Sequence, residues 1–172
     1  MVKIPEPKAG LIIRYSYLWH REATGGQEEG RKDRPCAIVV AAKDGRVGVV
    51  PITTAKPSQD TPALELPASI GKQLGLGDKP SWIIANEANV FQWPSSDIRR
   101  AKRDSWAYGQ LPPNFMKTVI QGVWQQRERM RTVSRDEQEP KASKPKDWSK
   151  QAKTSKPIKK APSPSRDMSR TR

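Results

Sequence analysis

Histidine and cysteine are nearly missing from this chain, which has one of each, His20 and Cys36, in 172 residues. Zinc sites draw several ligands from these residue types, and a Cys–His nucleophile pair needs both, so neither chemistry has enough material. A ribonuclease mechanism built on two histidines is likewise excluded within one subunit. The single cysteine rules out an intrachain disulfide framework and suits a reducing compartment. No CxxC pair, HExxH, Walker A sequence or GxGxxG occurs. No apolar run approaches the roughly 18 residues needed to cross a bilayer, and the start, MVKIPEPKAG, has no signal-peptide apolar region. These absences predict a cytoplasmic protein with no metal, no cofactor and no membrane attachment.

Acidic residues are the second shortage. There are 18 Asp/Glu against 32 Lys/Arg, a formal net charge of +14, and only 34% of residues are hydrophobic. The excess is uneven. Residues 141–172 hold 11 basic and 2 acidic residues, +9, and residues 1–140 hold 21 and 16, +5. Such a balance points to an acidic partner, either nucleic acid or an acidic protein segment. Residues 134–172 are rich in Lys, Ser and Pro, with Trp148, Ile158 and Met168 their only large apolar side chains. They cannot bury enough surface to offset ordering entropy and are expected to be disordered. Residues 1–9, with two prolines, read as a loose leader, leaving 10–133 as the domain.

What is present is β-patterned. The organising stretch is RPCAIVVAAKDGRVGVVPITT, residues 34–54. Apolar, β-branched runs at 36–42 and 47–52 flank Asp44-Gly45, a strong hairpin signal when the turn is type I′. That turn sets Lys43 opposite Arg46, Cys36 opposite Thr53 and Pro35 opposite Thr54, to within one residue. Arg34 then lies beside Thr53 and Thr54 at the open end of the hairpin. A guanidinium and two hydroxyls gathered there can form an anion site; the same residues also suit a solvated strand end on a pleated surface.

Upstream, residues 10–20 (GLIIRYSYLWH) alternate as a long half-buried strand. Residues 21–33 (REATGGQEEGRKD) have no apolar side chain larger than alanine and read as a mobile surface loop delivered into Arg34. Downstream, short strands are expected at 63–66, 81–85 and 88–93, a helical turn or two at 69–74, and an irregular basic segment at 94–109. Pro112 and Pro113 introduce a helix running to about Arg131. Its apolar face, Phe115, Met116, Val119, Ile120 and Val123, must dock on the sheet. The expected fold is mainly β, of the α+β kind: a small, strongly curved barrel or roll of five or six antiparallel strands, with one C-terminal amphipathic helix packed on it.

Taken in order, these features resemble the PemK/MazF family of toxin–antitoxin endoribonucleases. The resemblance rests on Gly10-Leu-Ile-Ile, the loop Gly26-Gln-Glu-Glu-Gly30, Arg34-Pro35 entering a strand, and Pro51-Ile-Thr-Thr54 closing the next. The segment from Ala85 to Trp93 and the Leu111-Pro-Pro before the helix also fit, so it covers about residues 10–131. It implies an SH3-like barrel, a homodimer, an acidic antitoxin partner, and metal-independent cleavage of single-stranded RNA by 2′-hydroxyl attack. By the family pattern, Arg34 stabilises the phosphorane or protonates the leaving oxygen, and Thr53 hydrogen-bonds the scissile phosphate. A loop carboxylate supplies the base: counting from the glycine gives Glu28, and counting back from Arg34 gives Glu29. Thr54, Arg31, Lys32 and His20 are the candidate RNA contacts. The loop is one residue longer than the commoner family spacing, and Trp19-His20 has no counterpart in the pattern.

Two other classes remain open. One is a non-catalytic barrel binding nucleic acid through its basic surface. The other is a toxin of the same fold that acts by binding a protein such as gyrase.

The charge of residues 141–172 generates a direct test. Deleting them should weaken RNA binding and flatten the slope of log K against log salt, because fewer counterions are released. RNA titrations at three salt concentrations with and without the segment check this, and coincident slopes count against any RNA contact there.

Overall fold

In the computed structural model, which describes residues 2–136, the turn between residues 42 and 46 decides the register of the central hairpin. The hairpin strands are β2 (Asp33–Ala41) and β3 (Arg46–Thr53). The Gly45 N–H donates to the Ala42 carbonyl at 3.0 Å, and the Ala42 N–H donates to the Arg46 carbonyl at 2.8 Å. Asp44 Oδ1 accepts from the Arg46 N–H at 2.9 Å. Gly45 has φ 91°, whereas Asp44, like every other described non-glycine residue, keeps φ negative. This is a three-residue loop ending in a left-handed glycine, not the expected type I′ turn. A second irregularity lies between Ile38 and Val40. Each shifts the pairing by one residue, so Cys36 faces Pro51 and not Thr53.

The hairpin seeds a nine-stranded, mainly antiparallel sheet with the path β4-β5-β3-β2-β1-β7. Strand β1 (Leu11–Ser16) runs antiparallel to β2. Along its other edge it pairs with β7 (Ile98–Arg99) and β8 (Ala107–Gln110). Strand β3 forks. Its first half pairs with β6 (Glu87–Gln92), and Ile52 and Thr53 pair with β5 (Ser81–Ile84), which carries β4 (Ala63–Leu66) on its other side. Strand β9 (Arg131–Ser134) adds to β6 in parallel. The path does not close into a barrel. The fold is α+β and mainly β, as expected. The strand count exceeds expectation because β7 and β8 arise inside the irregular basic segment and β9 lies beyond the helix.

Both faces of the central strands are covered. Ile13, Tyr15, Cys36, Ile38, Val47, Val49 and Phe91 form one core; Ile12, Ala37, Val50, Ile52, Leu111, Met116 and Val119 form the other. Alternation in β1 therefore separates two cores, not core from solvent, and the half-buried strand is buried on both sides except at Arg14. It also ends at Ser16, four residues short of the expected limit. His20 instead opens helix α1 (His20–Thr24), so the loop expected over 21–33 begins as a helical turn.

Helix α2 (Ala68–Gln73) falls where expected. Helix α3 (Pro113–Gln125) buries Met116 and Val119, with Phe115 and Val123 packed at the margin, while Ile120 stays 44% exposed. Its approach to β4 depends on Gly122, where an added Cβ meets Leu64 Cδ1 at 2.8 Å. The helix stops six residues before Arg131; a 3-10 turn at Arg127–Arg129 intervenes and the chain re-enters the sheet as β9.

The ends of the domain also differ from expectation. The leader is held down: Trp106 Nε1 donates to the Val2 carbonyl at 2.9 Å and Trp93 Nε1 to the Pro5 carbonyl at 3.2 Å. Of the residues assigned by composition to the tail, Ser134 ends β9, the Arg135 N–H donates to the Val90 carbonyl at 2.8 Å, and Asp136 Oδ1 accepts from the Gln92 N–H at 2.7 Å. Arg135 is 5% exposed; its guanidinium donates to Asp97 Oδ2 at 2.7 Å and to the Glu28 carbonyl at 2.9 Å. The remainder of the tail expected to be disordered, residues 137–172, lies outside the described residues.

Two expectations follow for stability. Arg135→Ala strips a partner from Asp97 and from a backbone carbonyl, and should cost about 3 kcal/mol in urea denaturation, the lower end for a broken buried pair because Asp97 keeps some solvent. An unchanged midpoint refutes that role for the ion pair. Burial raises the Tyr15 and Tyr17 hydroxyls and the Cys36 thiol above the ordinary phenol and thiol values of 10.0 and 9.0. Groups raised in the folded state lend stability that is complete below the unfolded value and lost as pH climbs past it. The urea midpoint should therefore hold to about pH 9 and fall above it, which denaturation at pH 8 and pH 10.5 measures.

Candidate functional site

Carrying the hairpin offset two residues further sets Arg34 level with Thr53 at the open end of β2 and β3. Both residues line one groove of about 670 Å³, together with Thr54, Lys32 and Trp19. The arginine and the two hydroxyls thus line one groove, although the register that brings them to it is two residues from the one a type I′ turn predicts.

Arg34 makes no ion pair among the described residues. Its guanidinium carbon instead lies 4.9 Å from the centre of the Trp19 ring. A cation over an indole face is attracted by the ring quadrupole without being neutralised. The Arg34 Nε is buried and has no hydrogen-bond partner among the described residues, so the side chain has spare donor capacity. Thr53 Oγ1 accepts from the Ala55 N–H at 3.1 Å, which leaves its hydroxyl proton to donate outward.

Trp19 is placed by the buried Asn89 of β6. Asn89 Oδ1 accepts from the Leu18 N–H at 2.9 Å, and Asn89 Nδ2 donates to the Leu18 carbonyl at 2.8 Å. Both backbone groups of the residue before Trp19 are satisfied away from water. The Trp19 carbonyl then starts α1, accepting from the Glu22 and Ala23 N–H groups at 2.9 Å. Tyr17 packs edge-on against the indole at 5.2 Å.

Five cations line the groove, Arg21, Lys32, Arg34, Lys56 and Arg131, against two carboxylates, Asp33 and Glu87. Asp33 is engaged by Arg14 at 3.4 Å and Arg99 at 3.9 Å. Glu87 Oε1 accepts from the His20 N–H at 2.8 Å and makes no ion pair among the described residues. Burial pushes the Tyr17 hydroxyl well above its ordinary value; Glu87 adds to the rise and Arg34 opposes it, so one buried hydroxyl feels both charges. Such a groove can hold an anion with a planar bidentate donor, a hydroxyl donor and surrounding lysines and arginines.

The other sequence candidates stand apart. Glu28 and Glu29 are exposed on the loop and do not line the groove. Arg31 is exposed, 3.7 Å from Glu22, and lines a separate smaller cleft. His20 lies next to the groove through its backbone, while its imidazole is not part of the lining. Glu87, Arg131 and Lys56 were not identified from the sequence. Glu87 had one signal: it is the sole acid in the apolar stretch from Ser81 to Trp93. No protein-family model matches the chain, and no curated protein matches it at a significant level of similarity.

Proposed function

We propose that the protein is a metal-independent endoribonuclease, the toxin of a toxin–antitoxin pair of the PemK/MazF kind, acting on single-stranded RNA. The observation that carries this reading is Arg34, un-neutralised on the Trp19 ring and level with Thr53 in a groove of five cations. On this reading the sheet is an opened SH3-like barrel, α3 is its C-terminal helix, and the working form is a cytoplasmic homodimer.

The chemistry needs no external nucleophile. The RNA 2′-hydroxyl attacks its neighbouring phosphorus, so the site must remove one proton, stabilise charge on the phosphorane and assist the departing 5′-oxygen. Arg34 provides a fixed positive charge and a donor fork matched to phosphate. The Thr53 hydroxyl donates to a second phosphate oxygen. Lys32 and Thr54 at the groove wall hold flanking phosphates, and the cation excess draws the strand in. The same excess suits inhibition by an acidic protein segment that competes with RNA.

A second reading, a groove that binds RNA without cleaving it, is favoured by the position of Glu28 and Glu29 outside the groove. Incubation with a long single-stranded RNA separates the two. The expected result is cleavage in EDTA, with Arg34→Ala slower by at least about 10²-fold, the scale for losing one transition-state donor. Binding without cleavage selects the second reading, and an Arg34→Ala variant as fast as the natural chain removes the first.

A further inference from the structure

The base expected from the loop is not in the groove, yet attack by a 2′-hydroxyl requires a proton acceptor close to Arg34 and Thr53. Only Asp33 and Glu87 among the groove-lining residues carry a carboxylate. Asp33 is held between two arginines, at 3.4 Å and 3.9 Å. Both of its oxygens face a guanidinium, Oδ2 that of Arg14 and Oδ1 that of Arg99, so neither is left open to a bound strand. Glu87 differs. It opens β6, is half-buried, and has no ion-pair partner among the described residues although five cations line the same groove. One of its oxygens, Oε1, is engaged by the His20 N–H at 2.8 Å. That bond orients the carboxylate through one oxygen and leaves Oε2 as the atom that can take a proton.

Its backbone is fixed from two sides. Glu87 stands in register with Arg131 of β9, and Asn89, two residues on, clasps Leu18 just before Trp19. The base position, the ring beneath Arg34 and the start of α1 are thus tied to one strand, as positioning to a fraction of an ångström requires.

We propose that Glu87 is the general base of this groove, taking the 2′-hydroxyl proton of a bound RNA strand; this rests on reading the groove as a ribonuclease site. In the step, the 2′-oxygen forms a bond to phosphorus and its proton passes to the Glu87 carboxylate. The bond from phosphorus to the 5′-oxygen breaks, and that oxygen takes a proton at the groove mouth from water. The products are a 2′,3′-cyclic phosphate and a 5′-hydroxyl, and Glu87 returns its proton to solvent.

Glu87→Gln separates this role from a structural one, because the amide oxygen can still accept from the His20 N–H while the side chain no longer takes a proton. The variant should cleave at least about 10²-fold more slowly, the usual scale for a general base. Its unfolding midpoint should match the natural chain, and so should its affinity for 2′-O-methyl RNA, which binds but cannot react. Glu87→Asp keeps a carboxylate and should cleave at least about tenfold faster than Glu87→Gln, within the range attributed to proton transfer. Equal rates in the Asp and Gln variants overturn the assignment, as does a Glu87→Gln variant of natural rate, or one whose loss lies wholly in KM. If the natural chain leaves RNA intact, the ribonuclease reading fails and takes this role with it; an active natural chain with an unaffected Glu87→Gln variant removes only the role.

Discussion

Gly45 takes φ 91°, and the placement of the groove residues depends on that one left-handed residue. An L-residue with a Cβ pays about 1 kcal/mol or more there. Glycine does not, so the hairpin closes with three loop residues in place of two. Together with the irregularity near Val39, this displaces β3 by two residues relative to a tight turn. An even displacement preserves which face each side chain occupies. The apolar residues of β3 therefore still reach their cores, while the polar end slides until Thr53 is level with Arg34. Val47 pairs with Ala41 at an offset of one residue and stays fully buried, because the bulge at Gly45 absorbs the extra residue; the second irregularity, between Ile38 and Val40, adds the other before Thr53 is reached.

The groove is assembled from segments that leave the sheet at one end, and each is anchored by a buried or part-buried polar contact. Asn89 holds the chain at Leu18, Glu87 holds α1 at the His20 N–H, and Arg135 holds the loop at the Glu28 carbonyl. These are bonds from side chains to backbone across long sequence separations, which satisfy groups that no ladder can reach. They also explain why the glycine-rich loop, with little apolar content, enters β2 on a defined path. The loop is fastened from β6 and from the end of β9, not by its own packing.

Electrostatics sets the character of the site. Arg14, Arg99 and Arg46 carry carboxylate partners, whereas Arg34 rests on an indole. An ion pair would have neutralised Arg34 and charged a desolvation cost to any anion that displaced the carboxylate. Stacking on Trp19 orders the guanidinium while leaving its field directed at the groove. The two-sided core supports this rigidity: Tyr15 stacks on Phe91 with ring centres 4.6 Å apart, and β1, which leads toward Trp19, is built of residues buried on both faces except at Arg14.

Much of this was legible in the sequence because it depends on short-range chemistry. Alternating apolar residues, Asp-Gly between β-branched runs, and Pro112-Pro113 before an amphipathic stretch determined the central strands, their hairpin and α3. The adjacency of Arg34 with Thr53 followed from hairpin pairing alone. The turn type was not legible, since Asp-Gly serves both loop lengths and only the packed cores choose between them. Strands β7 and β8 sit in a basic stretch with no periodicity, and β9 continues a helical pattern in residues that pair because β6 offers a free edge. Arg135 reads as part of a charged tail until the fold buries it against Asp97. The Trp19 platform and Glu87 were beyond sequence reasoning for the same reason. Glu87 bonds to the His20 N–H, 67 positions away in the chain, only where the fold returns it, and that return is tertiary.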